Sequence, residues 1–147
     1  MTLQGEYVPS SSQWVRDQVA EYEASGGREA NTLPRTGDPI VVITSVGATS
    51  GKLRKNPVMR VEKNGTYVAI ASKGGAPEDP VWADNFRAHP LVDLQDGPEP
   101  RSYTVRELEG EERTTWWEHA VATWSTYASY QEKTDRLIPV FLLEPVA

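Results

Sequence analysis

Asn64-Gly65 stands between two runs suited to extended chain, Arg54 to Val61 and Tyr67 to Ser72. Both turn residues tolerate the positive φ that a type I′ turn needs, so the pair predicts a tight antiparallel hairpin. Upstream, Ile40-Val41-Val42-Ile43-Thr44 is a continuous β-branched run, which suits a buried strand. Leu91 to Leu94 and Tyr103 to Leu108 add two strands around a Gly97-Pro98 turn. Leu137 to Leu143 closes the chain as a sixth, with Pro139 pointing to an edge or a bulge.

Helical patterns flank this framework. Ser10 to Ala24 reads as a helix, with Ser10 and Gln13 fitting a capping box and Trp14, Val19 and Tyr22 forming an apolar stripe. Ser25-Gly26-Gly27 stops it. Asp79 is the expected cap of a short helix that has Pro80 at its first position and runs to Ala88. Glu111 to Tyr127 carries Trp117, Ala120, Val121 and Trp124 on one face, with an extension through Tyr130. About six mostly antiparallel strands with peripheral helices make an α+β plan, compatible with a small barrel. At 147 residues the chain has the size of one domain: an N-terminal helix and loop over 1–36, then a barrel and C-terminal helix over 37–147.

Composition removes several chemistries. There is no cysteine, hence no disulfide, thiolate metal site or thiol nucleophile. The start Met1-Thr2-Leu3-Gln4-Gly5-Glu6-Tyr7 lacks the basic and apolar regions of a signal peptide, and no apolar stretch approaches the roughly 20 residues that span a bilayer. A cytoplasmic protein without an integral membrane segment is expected. A net charge of −6 argues against nucleic acid as a partner. Yet Lys52, Arg54, Lys55, Arg60 and Lys63 face only Glu62 between positions 52 and 63. Such a strip fits a small anionic ligand; on charge alone a solvated strand edge is the commoner reason for one.

Gly47-Ala48-Thr49-Ser50-Gly51-Lys52 is one residue short of a P-loop, and Leu53 stands where a magnesium-holding hydroxyl would be. No Gly-x-Gly-x-x-Gly follows a strand. His89 and His119 lack metal-ligand spacing, so no metal is expected. Any catalysis must borrow its chemistry from a bound cofactor.

Three segments resemble the deazaflavin-dependent nitroreductase family, the A-type branch of the flavin/deazaflavin oxidoreductases. The first is Thr44-Ser45-Val46-Gly47-Ala48-Thr49-Ser50-Gly51-Lys52-Leu53-Arg54-Lys55-Asn56-Pro57-Val58. Ala71-Ser72-Lys73-Gly74-Gly75-Ala76-Pro77 with Pro80-Val81-Trp82-Ala83-Asp84-Asn85 is the second. The third runs from Tyr127 through Tyr130 and Asp135-Arg136 to Val140. The resemblance implies a split β-barrel binding coenzyme F420, a hydride carrier with a ribityl phosphate and an oligoglutamate tail. Family members often carry basic residues where this chain has Ala48-Thr49.

The same resemblance implies the site. Coenzyme contacts are expected from Ala48, Thr49, Ser50, Gly51, Lys52, Arg54, Lys55, Asn56, Pro57, Val58 and Met59. Ala71, Ser72, Lys73, Gly74, Val81, Trp82, Asn85 and Tyr127 complete that set. Arg54 offers a forked pair of charge-assisted hydrogen bonds, and glycines leave room for close backbone approach. Trp124, Tyr127 and Tyr130 are the expected substrate wall, spaced three apart along a helix. Tyr130 and Ser72 are the catalytic candidates, polarising the acceptor oxygen. The implied reaction is hydride transfer from F420H2 to an enone, quinone or nitro compound. An FMN-dependent split-barrel oxidoreductase and a non-catalytic F420-binding protein are the alternatives. A homodimer and peripheral membrane contact are compatible with the resemblance.

Overall fold

The computed structural model describes residues 3–34 and 36–146. Its elements are α1 (Gln13–Ser25), β1 (Ile40–Val46), β2 (Leu53–Met59), β3 (Glu62–Lys63), β4 (Thr66–Ile70), α2 (Val81–Ala88), β5 (Leu91–Gln95), β6 (Pro100–Glu107), α3 (Gly110–Thr123), α4 (Thr126–Glu132) and β7 (Val140–Pro145). The strands form one curled antiparallel sheet, a half-barrel in the order β2-β1-β5-β6-β7-β4-β3.

β1 is paired on both sides, Ile43 lying opposite Asn56 of β2 and Leu94 of β5. Because side chains alternate along a strand, Val41 and Ile43 enter one core while Ile40 and Val42 enter another beneath α1. The first core also takes Tyr67, Leu94, Tyr103, Phe141 and, from α2, Ala83 and Phe86. A further core gathers Val68, Ile70, Val140 and Leu142 against α3 and α4. Tyr22 pins α1 to the β5–β6 turn: its hydroxyl donates to the Gln95 carbonyl at 3.1 Å and accepts from the Gly97 amide at 2.9 Å.

Several expectations need correction. Seven strands are present among the described residues rather than six, because the predicted strand Arg54 to Val61 divides at Arg60. Its first part pairs with β1, and its remainder folds over Asn64-Gly65 onto β4, where Val68 donates to the Val61 carbonyl. Both turn residues have positive φ, 54° and 82°, as the hairpin required. The last strand is not an edge: β7 lies between β6 and β4, and Pro139 precedes it. That position lets Pro139 keep its carbonyl for the Ala71 amide without interrupting the ladder.

The predicted continuous C-terminal helix is broken. Trp124 adopts an extended conformation (φ −148°, ψ 101°) between α3 and α4. Its ring stands 5.1 Å from that of Tyr127 and 5.6 Å from that of Tyr130, so tertiary aromatic packing overrides helix propensity there. The capping box does not form. Ser12 is the N-cap, and the Ser10 hydroxyl accepts from the Ser12 amide instead. Pro80 rather than Asp79 caps α2, because the Asp79 carboxylate is taken by Arg87 and Arg136. Trp14 leaves the predicted buried stripe and is 54% exposed.

Candidate active site

Two cavities meet beside α1. The larger is a cleft of about 650 Å³ whose walls come from three sequence-distant segments. The β1–β2 turn and β2 supply Gly47, Ala48, Thr49, Ser50, Arg54, Asn56 and Pro57. Lys73, Pro80, Val81, Trp82 and Asn85 form the facing wall, and Ser10, Ser11, Trp14 and Val15 close the side. α2 is tied to the turn opposite by one bond, from the Ala48 amide to Asn85 Oδ1 at 2.9 Å.

Alternation along β2 sorts the basic strip. Arg54 and Asn56 face the cleft, while Lys55 turns to the other side, where it meets Glu23 at 2.5 Å and lies over the Tyr7 ring. Lys52 pairs with Glu6 and Arg60 with Asp96. Among the described residues no carboxylate pairs with Arg54, which leaves its five donors for another acceptor. Lys73 also lines the cleft and reaches Glu78 at 3.1 Å on an exposed surface, a pair worth little in water.

Backbone donors add to these cations. Ser72 is right-handed (φ −75°, ψ −38°) and Lys73 left-handed (φ 46°), a sequence that turns successive N–H groups to one side. Among the described residues the amides of Thr49, Ser50, Ser72, Lys73 and Gly74 find no acceptor.

The second cavity, about 580 Å³, is lined by Trp14, Leu33, Pro34, Thr36, Trp124 and Tyr130. Its walls are mostly apolar. Trp14 borders both cavities and so forms the wall they share.

The expected site residues thus divide. Ala48, Thr49, Ser50, Arg54, Asn56, Pro57, Lys73, Val81, Trp82 and Asn85 converge on the cleft. Gly51 and Gly74 sit in its turns at positive φ. Lys52 and Lys55 lie outside it, Val58 packs on the first core, and Ala71 is buried within that core. Met59 packs on the α3–α4 core, and Ser72 is buried with its carbonyl turned to Arg136. Trp124 and Tyr130 line the second cavity, whereas Tyr127 is only 3% exposed beneath them. Burial, followed by the nearby Tyr130 and Asp38, pushes the Tyr127 phenol well above the ordinary tyrosine range.

Sequence reasoning missed the contribution of α1 and the loop after it. Ser10, Ser11, Trp14, Val15, Leu33, Pro34 and Thr36 carry no local motif. One signal was available for Trp14: within the helix it has no apolar partner one turn on, since Asp17 and Gln18 follow.

Comparison with known proteins finds relatives of this chain. A family model described as F420H(2)-dependent quinone reductase matches residues 14–145. An F420H(2)-dependent quinone reductase of Mycobacterium tuberculosis is 28% identical over 134 residues, 89% of this chain and 89% of that protein. Among solved structures, an F420-H2 dependent reductase is 54% identical with a TM-score of 0.69, covering 77% of this chain and 97% of that one. Another, described as a domain-swapped dimer, is 48% identical with a TM-score of 0.71, covering 92% of this chain and all of the other. Among the described residues no helix is long and apolar enough to cross a membrane.

Proposed function

The chain belongs to the F420H(2)-dependent quinone reductase family, and from that membership we propose that it passes a hydride to a quinone-like acceptor seated against Trp14, Trp124 and Tyr130. It is an oxidoreductase, and its coenzyme is reduced F420, not the FMN that the sequence left open.

The residues of the cleft fit that coenzyme. A phosphate and several carboxylates need cations and N–H donors, and Lys73, with Arg54 and the amides at 49–50 and 72–74 that find no partner among the described residues, makes up that set. Trp82, Pro57 and Val81 offer flat apolar surface to a ring system. When bound, reduced F420 supplies a hydride from C5 of its deazaflavin ring. The protein's share is to hold, orient and polarise.

The observation that carries the acceptor assignment is the shared Trp14 wall. It sets an apolar, aromatic cavity beside a cationic cleft, so a flat uncharged acceptor can lie next to an anionic coenzyme. Tyr130 is the polarising donor in this reading: its hydroxyl has no partner among the described residues, and the residue lines a cavity of about 580 Å³, roomy enough for a quinone. Ser72 is the second candidate, buried at the start of the turn that carries Lys73 to the cleft. Enones and nitro compounds are likewise electrophiles activated by an oxygen that a donor can polarise, and rank behind quinones here. A homodimer belongs to the proposal, supported by the relative described as domain-swapped.

Steady-state oxidation of F420H2 with a soluble quinone, an enone and a nitroaromatic tests the reading. The quinone is expected to give the highest kcat/KM. Tyr130→Phe should lower that value about tenfold, roughly 1.4 kcal/mol of transition-state stabilisation. F420 affinity should not change. An undiminished rate in Tyr130→Phe with all three acceptors would remove Tyr130 from the chemistry. Preference for the nitroaromatic would move the acceptor class.

A further inference from the structure

Arg136 lies between α4 and β7 with its side chain only 16% exposed, and it borders neither cavity. Its Nε donates to the Ala76 carbonyl at 2.9 Å. Nη2 donates to the carbonyls of Ala71 and Ser72 at 3.2 and 2.9 Å, and Nη1 to Asp79 Oδ1 at 2.6 Å. Three backbone carbonyls of one short segment and the carboxylate that follows it therefore converge on a single guanidinium. Asp79 is fixed in turn by Arg87, 3.0 Å away, which Glu107 holds at 2.9 Å. Only the planar fork of an arginine can serve acceptors in this arrangement; a lysine ammonium is a point charge with three donors.

The direction of those carbonyls has a consequence for the opposite side of the chain. No peptide bond among the described residues is cis, so the C=O and N–H of each peptide unit point opposite ways. With the Ala71 and Ser72 carbonyls drawn to Arg136, the amides of Ser72 and Lys73 point away from it. Lys73 lines the cleft, and these amides have no other acceptor among the described residues. The conformation is one the chain would not keep unaided, since Lys73 carries a Cβ at φ 46°.

We propose that Arg136 is a positioning residue of the coenzyme site, aiming the Ser72 and Lys73 N–H groups into the cleft by holding their carbonyl partners from behind. It touches no ligand. The inference rests on the cleft being the F420 site, and it adds a determinant that lies outside the cleft.

Arg136→Lys and Arg136→Gln, titrated with oxidised F420 by fluorescence quenching and compared as ¹⁵N-labelled apoproteins, test it. Arg136→Lys keeps a charge for Asp79 but abandons the carbonyls. It is expected to retain a cooperative melting transition, to bind F420 at least tenfold more weakly, and to give no rescue relative to Arg136→Gln. In the apoprotein, the Ser72, Lys73 and Gly74 amide resonances should move while those of Thr49 and Ser50, on the facing wall, stay in place. Displacement of both sets, or a folded Arg136→Lys that binds F420 within twofold of wild type, overturns the proposal. If neither variant folds, the wild-type protein decides. Its Ser72 and Lys73 amides should exchange with solvent at least tenfold more slowly once F420 is bound, and unchanged exchange at saturation overturns the proposal. Wild-type protein that binds no F420 overturns the cleft assignment itself, a result distinct from undiminished binding by the variant.

Discussion

A Cβ placed on Gly75 would stand 2.8 Å from the carbonyl oxygen of Tyr130 and 3.0 Å from the Lys133 Cβ. The missing side chain is what allows α4, which carries Tyr127 and Tyr130, to pack directly on the turn at 73–75. Gly75 also sits at φ 83°. Gly75→Ala should therefore cost stability twice, once for the left-handed conformation and once for the clash with backbone, about 2–4 kcal/mol in all. Gly37→Ala is the matched comparison, since Gly37 has φ 74° but its added Cβ would meet nothing within 4 Å among the described residues. It should lose only the conformational part, about 1–2 kcal/mol. Urea denaturation of both variants checks the difference, and equal losses would mean that α4 yields easily.

Arg54→Ala should weaken F420 binding by about 1.5–3 kcal/mol, the scale of a hydrogen bond to a charged group. Lys55→Ala, one residue along but on the opposite side of β2 and engaged with Glu23, should leave F420 affinity nearly unchanged. Fluorescence-quenching titrations separate the two. Equal effects would show that net positive charge, not the facing of β2, governs binding.

Trp14→Ala removes the wall common to both cavities. Because the ring is 54% exposed, the fold should lose no more than about 1 kcal/mol. The acceptor's kcat/KM should fall about tenfold, chiefly through KM, as the apolar cavity opens to water. A lowered kcat at unchanged KM would mean instead that Trp14 acts on the hydride-transfer geometry.

Burial raises the phenol pKa values of Tyr22, Tyr67 and Tyr127, and for Tyr67 a hydrogen bond donated to Asp96 adds to it. The folded protein thus holds these protons more tightly than the unfolded chain does. That stabilisation is complete below about pH 10 and is lost as pH rises through the elevated values. The denaturant midpoint should fall as pH rises above about 10, and Tyr127→Phe should shrink the fall. An equal fall in Tyr127→Phe would show that Tyr127 contributes none of it.

Local chemistry made much of the molecule legible beforehand. Asn64-Gly65 accepts two positive φ angles by itself, and the β-branched run at 40–44 suits a strand buried on both faces, as β1 is. Most cleft residues lie in short contiguous stretches, so reading one member located its neighbours. Long-range packing decided the rest. Lys52 and Arg54 lie two apart in the sequence, yet Lys52, in the turn before β2, pairs with Glu6 at the surface while Arg54, inside the strand, faces the cleft. Trp124 leaves the helix for contacts with Tyr127 and Tyr130. Pro139 could belong to an edge strand or lead into a central one, and only the docking of β7 between β6 and β4 settled which. Trp14 became a wall of both cavities because Tyr22 anchors its helix to the β5–β6 turn, an attachment spanning 73 residues that no local pattern of hydropathy encodes.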